Sequence, residues 1–503
     1  MIFDAEKLEA DWFAGRQFDV CIIGTGPAGL SLARRLAGHG ASVALMEGGD
    51  LELTHESQQI YEGENVGADY WPLSATRRRF LGGSSNCWGG WCRAFEAEDF
   101  YPIKYHAESG WPIAKTDLDP YAEATVTFLD VAVDEPMPDS SFGAETGVFR
   151  QIDFNFSQDL LLAPRFMPEL KESQNIQLFV NANLVDLELD DNRQTVRYGI
   201  FRNYTRAEPF RVEAKAFVLC LGGLENPRFL LNANRQIAAG IGNQHDMVGR
   251  YFSEHPHQNV GHVLLREPMQ AREFYAPDRR WMEQQEILSF SLYFSPVRQL
   301  TFTREVIRSA ACNIDFIERL AEAVAGKEPR CYVGGLEDYL KQWRNPDLML
   351  TGTLSIVSEQ ALDPESRVRL GDDTDRFGLR RIELDWRLND LDFQTIQTAT
   401  MAFGVLLAER NVGRLKMADW LVDGDGTLPG TDVAQVGGPH HMCTTRMSDS
   451  PRSGVVDRDC RVHGMHNLYI GGSSVFSTGG YANPTFTIVQ LAMRLADHLA
   501  ISV

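Results

Sequence analysis

Residues 18–50 read FDVCIIGTGPAGLSLARRLAGHGASVALMEGGD. The apolar run Val20 to Ile23 has the texture of a buried parallel strand, and Gly24 bounds it. The next segment puts Leu30, Leu32, Ala33 and Leu36 on one helical face, with Gly38 and Gly40 as the stop. A second strand, Ser42 to Met46, then leads into Glu47. Gly24, Gly26 and Gly29 form GxGxxG at the strand–helix junction, where a tight turn and close backbone approach are required. The free N–H groups of the helix start suit a pyrophosphate, and Glu47 is placed to accept ribose hydroxyls. Strand, helix, strand and terminal acid in register point to a dinucleotide site. NAD and FAD share this unit, so the fingerprint alone does not choose between them.

Three further segments favour FAD. Residues 80–92, FLGGSSNCWGGWC, are too glycine-rich for an ordinary helix or central strand, and let backbone pass close to a bulky planar ligand. Residues 216–231, AFVLCLGGLENPRFLL, read as another buried strand, a glycine pair and a helix. Near the far end, NLYIGGSSVF (467–476) repeats the strand-to-glycine pattern at Gly471 and Gly472. The last helix begins near Asn483-Pro484, proline being suited to a first helical position. Phe486, Val489, Leu491 and Leu495 make that helix largely buried in character.

The intervening region reads differently. Residues 287–295, 348–357, 367–372 and 381–386 have the composition of strands in an antiparallel sheet, and 391–410 reads as a helix. Asp372, Asp373, Asp375 and Gly378 mark the turn between the last two strands. The expected fold is α/β: a discontinuous Rossmann-like FAD-binding domain with a substrate domain on a mostly antiparallel sheet. The expected boundaries are 1–110, 176–260 and 435–503 for the first, and 111–175 with 261–434 for the second.

Composition excludes several functions. The chain has 503 residues, with 48 Lys+Arg against 69 Asp+Glu, a formal charge of −21. That surplus repels phosphate backbones and no basic tract offsets it, which argues against nucleic acid. Hydrophobic residues at 44% and charged residues at 23% describe a chain able to bury a core, not a disordered one. No run of about 18 apolar residues exists to span a bilayer. The start, MIFDAEKLEADWF, has no basic segment followed by an apolar stretch, so the expected compartment is the cytoplasm. Eight scattered cysteines without CxxC read as reduced thiols.

Taken together, GTGPAG, LGGSSNCWGG, VLCLGGLENPRFLL, VGRYFSEHPH (248–257), HHMCTTRM (440–447) and NPTFT (483–487) resemble the glucose–methanol–choline (GMC) oxidoreductases, flavoenzymes that oxidise alcohols. YANPTFT and VGRYFSEHPH resemble the pyranose 2-oxidase and bacterial glycoside 3-oxidase branch in particular. The resemblance implies a p-hydroxybenzoate-hydroxylase-like architecture with His440 as catalytic base and Asn483 as its partner. It implies FAD contacts at Gly24, Gly26, Gly29, Glu47, Gly83, Ser84, Asn86, Val185, Gly471 and Gly472, with Thr485 offering an N–H to the flavin. Pyranose 2-oxidase carries a flavin-linked histidine just before the loop tryptophan. Here Cys87 precedes Trp88, and a non-covalent FAD is expected. Cys443 stands where a glycine is common.

The implied reaction is oxidation of a secondary pyranose hydroxyl, at carbon 3 or carbon 2, of a sugar or glycoside. Oxygen or another acceptor would complete turnover, and no metal is required. A non-sugar alcohol, or a lyase that uses its flavin only structurally, remains the alternative. His441 competes with His440 for the base, but the spacing to Thr444 and Arg446-Met447 favours His440. His255 and His257, separated by one proline, read as a polar turn and not as metal ligands. Arg77-Arg78-Arg79 reads as a solvated face, with a contact to the FAD phosphates as the minority reading.

Overall fold

The computed structural model describes residues 1–502 except Ala10, 133–146, 268–272, 297–349, Asp425, Thr427 and 429–438. The opening βαβ unit forms as its pattern dictates: strand Gln17–Ile23, helix Pro27–Gly38, strand Val43–Met46. Leu30, Leu32, Ala33 and Leu36 are all fully buried, so the helix lies on the sheet by its apolar face. These strands belong to an eight-stranded sheet. Seven of them run in the order Ile2–Asp4, Ile176–Val180, Val43–Met46, Gln17–Ile23, Phe210–Leu219, Val196–Arg202 and Asn183–Leu189, and the eighth, Leu468–Ile470, pairs off this path with Phe210–Leu219.

The ten-residue strand Phe210–Leu219 is where the sheet divides. Its first half pairs antiparallel with Val196–Arg202, through Tyr198↔Glu213 to Phe201↔Phe210. Its second half pairs parallel with Gln17–Ile23 on one side and with Leu468–Ile470 on the other. Residues from the beginning, middle and end of the chain therefore share one sheet. Helix Thr485–Ser502 follows the last strand and packs against helix Pro27–Gly38. Phe486, Val489, Leu491 and Leu495 are buried in that packing.

A second sheet is antiparallel throughout its six described strands. Its order is Gly413–Met417, His257–Leu265, Thr351–Ser358, Phe290–Pro296, Glu273–Pro277 and Phe149–Ile152. Helix Asp390–Glu409 covers it, burying Ile396, Ala399, Phe403 and Leu407 among Phe290, Leu292, Phe294, Leu354 and Ile356. Apolar burial at about 25 cal/mol per Å2 drives this docking.

Two expected strands go elsewhere. Arg367–Thr374 and Arg380–Asp385 form their hairpin, but pair with Gly63–Asn65 in a separate three-stranded sheet. The hairpin was legible from its turn residues. Its partner strand is only three residues long and carries no period-two pattern to reveal it. Residues 348 and 349 of the expected 348–357 strand lie outside the described residues, as do Cys312 and Cys331. The other six cysteines are free thiols.

Candidate active site

Four turns gather at the carboxyl ends of parallel strands, where open α/β sheets bind ligands. They are Gly24–Gly26 after Gln17–Ile23, Glu47–Gly49 after Val43–Met46, Cys220–Gly222 after Phe210–Leu219, and Gly471–Gly472 after Leu468–Ile470. Backbone bonds tie them in order: Gly24 N donates to Met46 O, Cys220 N to Ile23 O, and Gly471 N to Leu219 O.

The glycines divide into two kinds. Gly24, at φ +108°, and Gly29 are glycine because the chain leaves no room. A Cβ on Gly24 would stand 2.3 Å from Cys220 O, and one on Gly29 1.9 Å from Gly24 O. A Cβ on Gly26 or on buried Gly472 would meet no atom within 4 Å. Those two positions expose bare backbone toward open space, as a pyrophosphate cradle must. The site of a bound dinucleotide thus fits the residues present.

The remaining expected contacts surround this cradle. Residues Gly83–Asn86 form a short 3-10 turn against Gly26, and Asn86 pins it by donating to Leu81 O and Gly83 O at 2.9 Å each. Glu47 accepts from Thr25 Oγ1 at 2.5 Å and from Gly49 N at 2.8 Å, so it is held at the strand end with further lone pairs to offer. Val185 lies in strand Asn183–Leu189 and is half-buried. Cys87 is exposed; partial desolvation raises its thiol pKa above the ordinary value and keeps it poorly nucleophilic.

The arginine run differs from the expected solvated face. Arg77 is buried and paired with Glu225 at 2.8 Å. Arg79 donates to Asn183 Oδ1 at 2.8 Å and to the Tyr204 hydroxyl at 2.9 Å. Arg78 donates to the backbone carbonyls of Ala75 and Arg77. Two arginines therefore brace the turns behind the cradle.

The second half of the site is built from residues distant in sequence. Ser253 and Met442 exchange backbone bonds, N to O at 3.2 Å and 3.0 Å, which clamps 253–255 against 440–442. Glu254 then accepts from the backbone N–H of His255 at 2.9 Å, from that of His440 at 2.5 Å, and from the Tyr70 hydroxyl at 2.5 Å. Burial dominates over these donors and pushes Glu254 up to about 7. Cys443 follows at φ +69°, which explains why glycine suits this position: the left-handed region penalises any side chain.

His255 and His257, read from sequence as a polar turn, lie beside His440. Both are buried, His257 opens strand His257–Leu265, and their rings lie 5.1 Å and 5.3 Å from that of His440. His255 Nδ1 is 3.0 Å from His440 Nδ1, and His255 Nε2 is 3.1 Å from Gly479 O. These contacts fix the protons. The Gly479 carbonyl only accepts, so His255 Nε2 carries hydrogen. Burial holds the His255 pKa down to about 4, so its ring is neutral and Nδ1 is a bare acceptor. His440 must then donate from Nδ1, which leaves its Nε2 unprotonated and able to accept. The Asn483 amide nitrogen sits 3.4 Å from that lone pair. The two side chains are thus presented together.

His441 points away from this arrangement. Its ring lies against Tyr70 and Phe252, and its carbonyl accepts from Ser473 Oγ at 2.7 Å. The loop bearing Asn483 is held by Trp111 Nε1 donating to Thr478 Oγ1 at 2.8 Å, and by Thr478 Oγ1 donating to Asp99 O at 3.2 Å. Thr485 begins the final helix two residues after Asn483, placing the positive helix end beside the site.

A dinucleotide cradle together with an unprotonated imidazole nitrogen is a set of parts that suits a flavin-dependent oxidoreductase. Residues 363–492 match the family described as GMC oxidoreductase, and residues 17–55 match an FAD binding domain. The chain is 22% identical to 2-methyl-1,2-propanediol dehydrogenase of Mycolicibacterium austroafricanum, over 96% of this chain and 95% of that protein. It is 31% identical to C-glycoside 3-oxidase of Microbacterium trichothecenolyticum, over 29% of this chain and 27% of that one. Its fold is similar to pyridoxine 4-oxidase from Mesorbium loti, with TM-score 0.55, 16% identity, and coverage of 96% and 99% of the two chains. The chain is an oxidoreductase similar to the GMC oxidoreductases, and its cofactor is FAD. No helix among the described residues is long and apolar enough to cross a membrane.

Proposed function

We propose that this enzyme oxidises a secondary hydroxyl of a pyranose sugar or glycoside to the keto sugar, carbon 3 in preference to carbon 2. The observation that carries the chemistry is the unprotonated Nε2 of His440 beside the Asn483 amide. Bound FAD supplies the hydride acceptor. His440 Nε2 takes the hydroxyl proton as the C–H bond breaks, and a neutral imidazole is suited to that task. Asn483 donates to the same hydroxyl oxygen and holds it in line; misplacement by about 1 Å costs roughly a hundredfold in rate. The helix end at Thr485 favours negative charge developing in the cofactor. Gly24, Gly26, Gly29, Gly471 and Gly472 hold the pyrophosphate, Glu47 the ribose, Val185 the adenine, and Gly83, Ser84 and Asn86 the ring system. The FAD is bound non-covalently, and oxygen or another acceptor completes turnover.

The likeness to C-glycoside 3-oxidase supports the sugar and the carbon-3 preference. A non-sugar alcohol is the second reading, favoured by the likeness over nearly the full chain to a propanediol dehydrogenase. Anaerobic titration of the yellow enzyme separates them. Bleaching by glucose, aryl glucosides or C-glycosides, with a 3-keto product by NMR, is the expected result. Bleaching by short diols alone would refute the sugar reading.

A further inference from the structure

Besides a base and its support, the histidine cluster presents a donor set for a metal. His255, His257 and His440 each place one ring nitrogen within 4.8 Å of the others. Nitrogen ligands at about 2.0–2.1 Å from a tetrahedral zinc stand about 3.3 Å apart. The His255–His440 pair is already near that separation at 3.0 Å, so only the third ring has to close in. That ring is also the unexplained one. His257 is buried at 6% exposure, and its Nε2 has no hydrogen-bond partner among the described residues. A buried ring nitrogen without a partner is costly unless something else satisfies it.

The other requirements of a metal site are met as well. His255 Nε2 is held by Gly479 O at 3.1 Å, so its Nδ1, 3.0 Å from His440 Nδ1, is the nitrogen turned into the cluster. Glu254 accepts from the backbone N–H groups of both His255 and His440 and so ties the two ligand-bearing segments together. His440 is only half-buried, which leaves a side open for a fourth ligand.

We propose that His255, His257 and His440 form a three-imidazole site for a transition-metal dication, and that its occupation switches off the base. Neutral imidazoles select zinc, cobalt, nickel or copper over magnesium and calcium, which prefer oxygen. The proton balance is explicit. A metal on Nδ1 of His440 requires the lone pair there, so the ring proton moves to Nε2 and no net proton is released. Nε2 then carries hydrogen and cannot accept one from substrate. The metal site stands independently of the assignment of His440 as base, and the inhibition rests on that assignment.

Cobalt(II) tests both parts in the FAD-loaded enzyme after chelator treatment. Tetrahedral cobalt absorbs to the red of the flavin band, so binding is read without turnover. The expected result is such a band saturating near about one cobalt per chain. It is absent with magnesium and absent from His257→Gln protein that retains its yellow flavin. Anaerobic flavin reduction should fall in step with the band and return on chelation. No band in the wild-type enzyme, or a band that His257→Gln leaves intact, overturns the site. A His257-dependent band with flavin reduction unchanged overturns the inhibition and, with it, His440 as the base.

Discussion

Replacing His255 by leucine removes the group that sets the proton of His440 while keeping an apolar body of similar size. The 3.0 Å contact to His440 Nδ1 is lost, and the His440 N–H is left facing a side chain that cannot accept. An orphaned buried donor costs about 1–3 kcal/mol, and the ring is then free to flip its proton to Nε2. At about 1.36 kcal/mol per decade, flavin reduction should slow about 5- to 150-fold. KM should change little, because His255 itself is fully buried behind the base. His255→Asn is the informative companion: its side-chain oxygen can accept from His440 as Nδ1 does, so it should recover most of the rate. Rapid-mixing anaerobic reduction, at matched FAD content, reads both variants. A leucine variant within twofold of wild type, or an asparagine variant as slow as leucine, would refute the proton assignment.

Other consequences are equally direct. Gly26→Ala should fold normally and bind FAD about 10- to 150-fold more weakly, the loss expected for one charge-assisted hydrogen bond, as measured by flavin fluorescence; Gly29→Ala should instead fail to fold, since its Cβ would lie 1.9 Å from Gly24 O. Arg228 pairs with Asp375 at 2.7 Å and with Glu225 at 2.9 Å, all buried, so Arg228→Met should strand Asp375 and cost about 3–5 kcal/mol in urea unfolding. Burial, and then the charges of Glu96 and Glu359, push Asp99 up to about 8 from 3.8. Its native form holds a proton that the unfolded chain releases, so its contribution is complete below 3.8 and is lost as pH rises toward 8. The melting temperature of Asp99→Asn relative to wild type should therefore climb across that interval; a pH-independent difference would refute the shift.

What the sequence discloses is what short-range pattern can encode. The strand from Val20, the helix with Leu30, Leu32, Ala33 and Leu36, and the terminal helix each carry their own periodicity and boundary residues. Gly24 and Gly29 were legible because tight turns need glycine wherever they occur. The proposed role of His440 was read by resemblance, through its spacing to Thr444 and Arg446. His255 and His257 were not, because their role depends on the Ser253–Met442 pairing between segments far apart in the chain. The one available signal was the apolar character of residues 258–265, which marks His257 as a strand start. Arg77 misled for the same reason: its partner Glu225 lies 148 residues away, and a run of three arginines looks solvated until that acid is placed. Cys443 made sense only once its positive φ was known.

The central claim is that a neutral His440, and not its neighbour His441, removes the substrate proton. Anaerobic flavin reduction by one active sugar or alcohol should be measured in His440→Ala and His441→Ala enzymes that both retain FAD. The account predicts a loss of about 10²- to 10⁴-fold for His440→Ala and near wild-type reduction for His441→Ala. Near-normal reduction in His440→Ala with abolition in His441→Ala would contradict it.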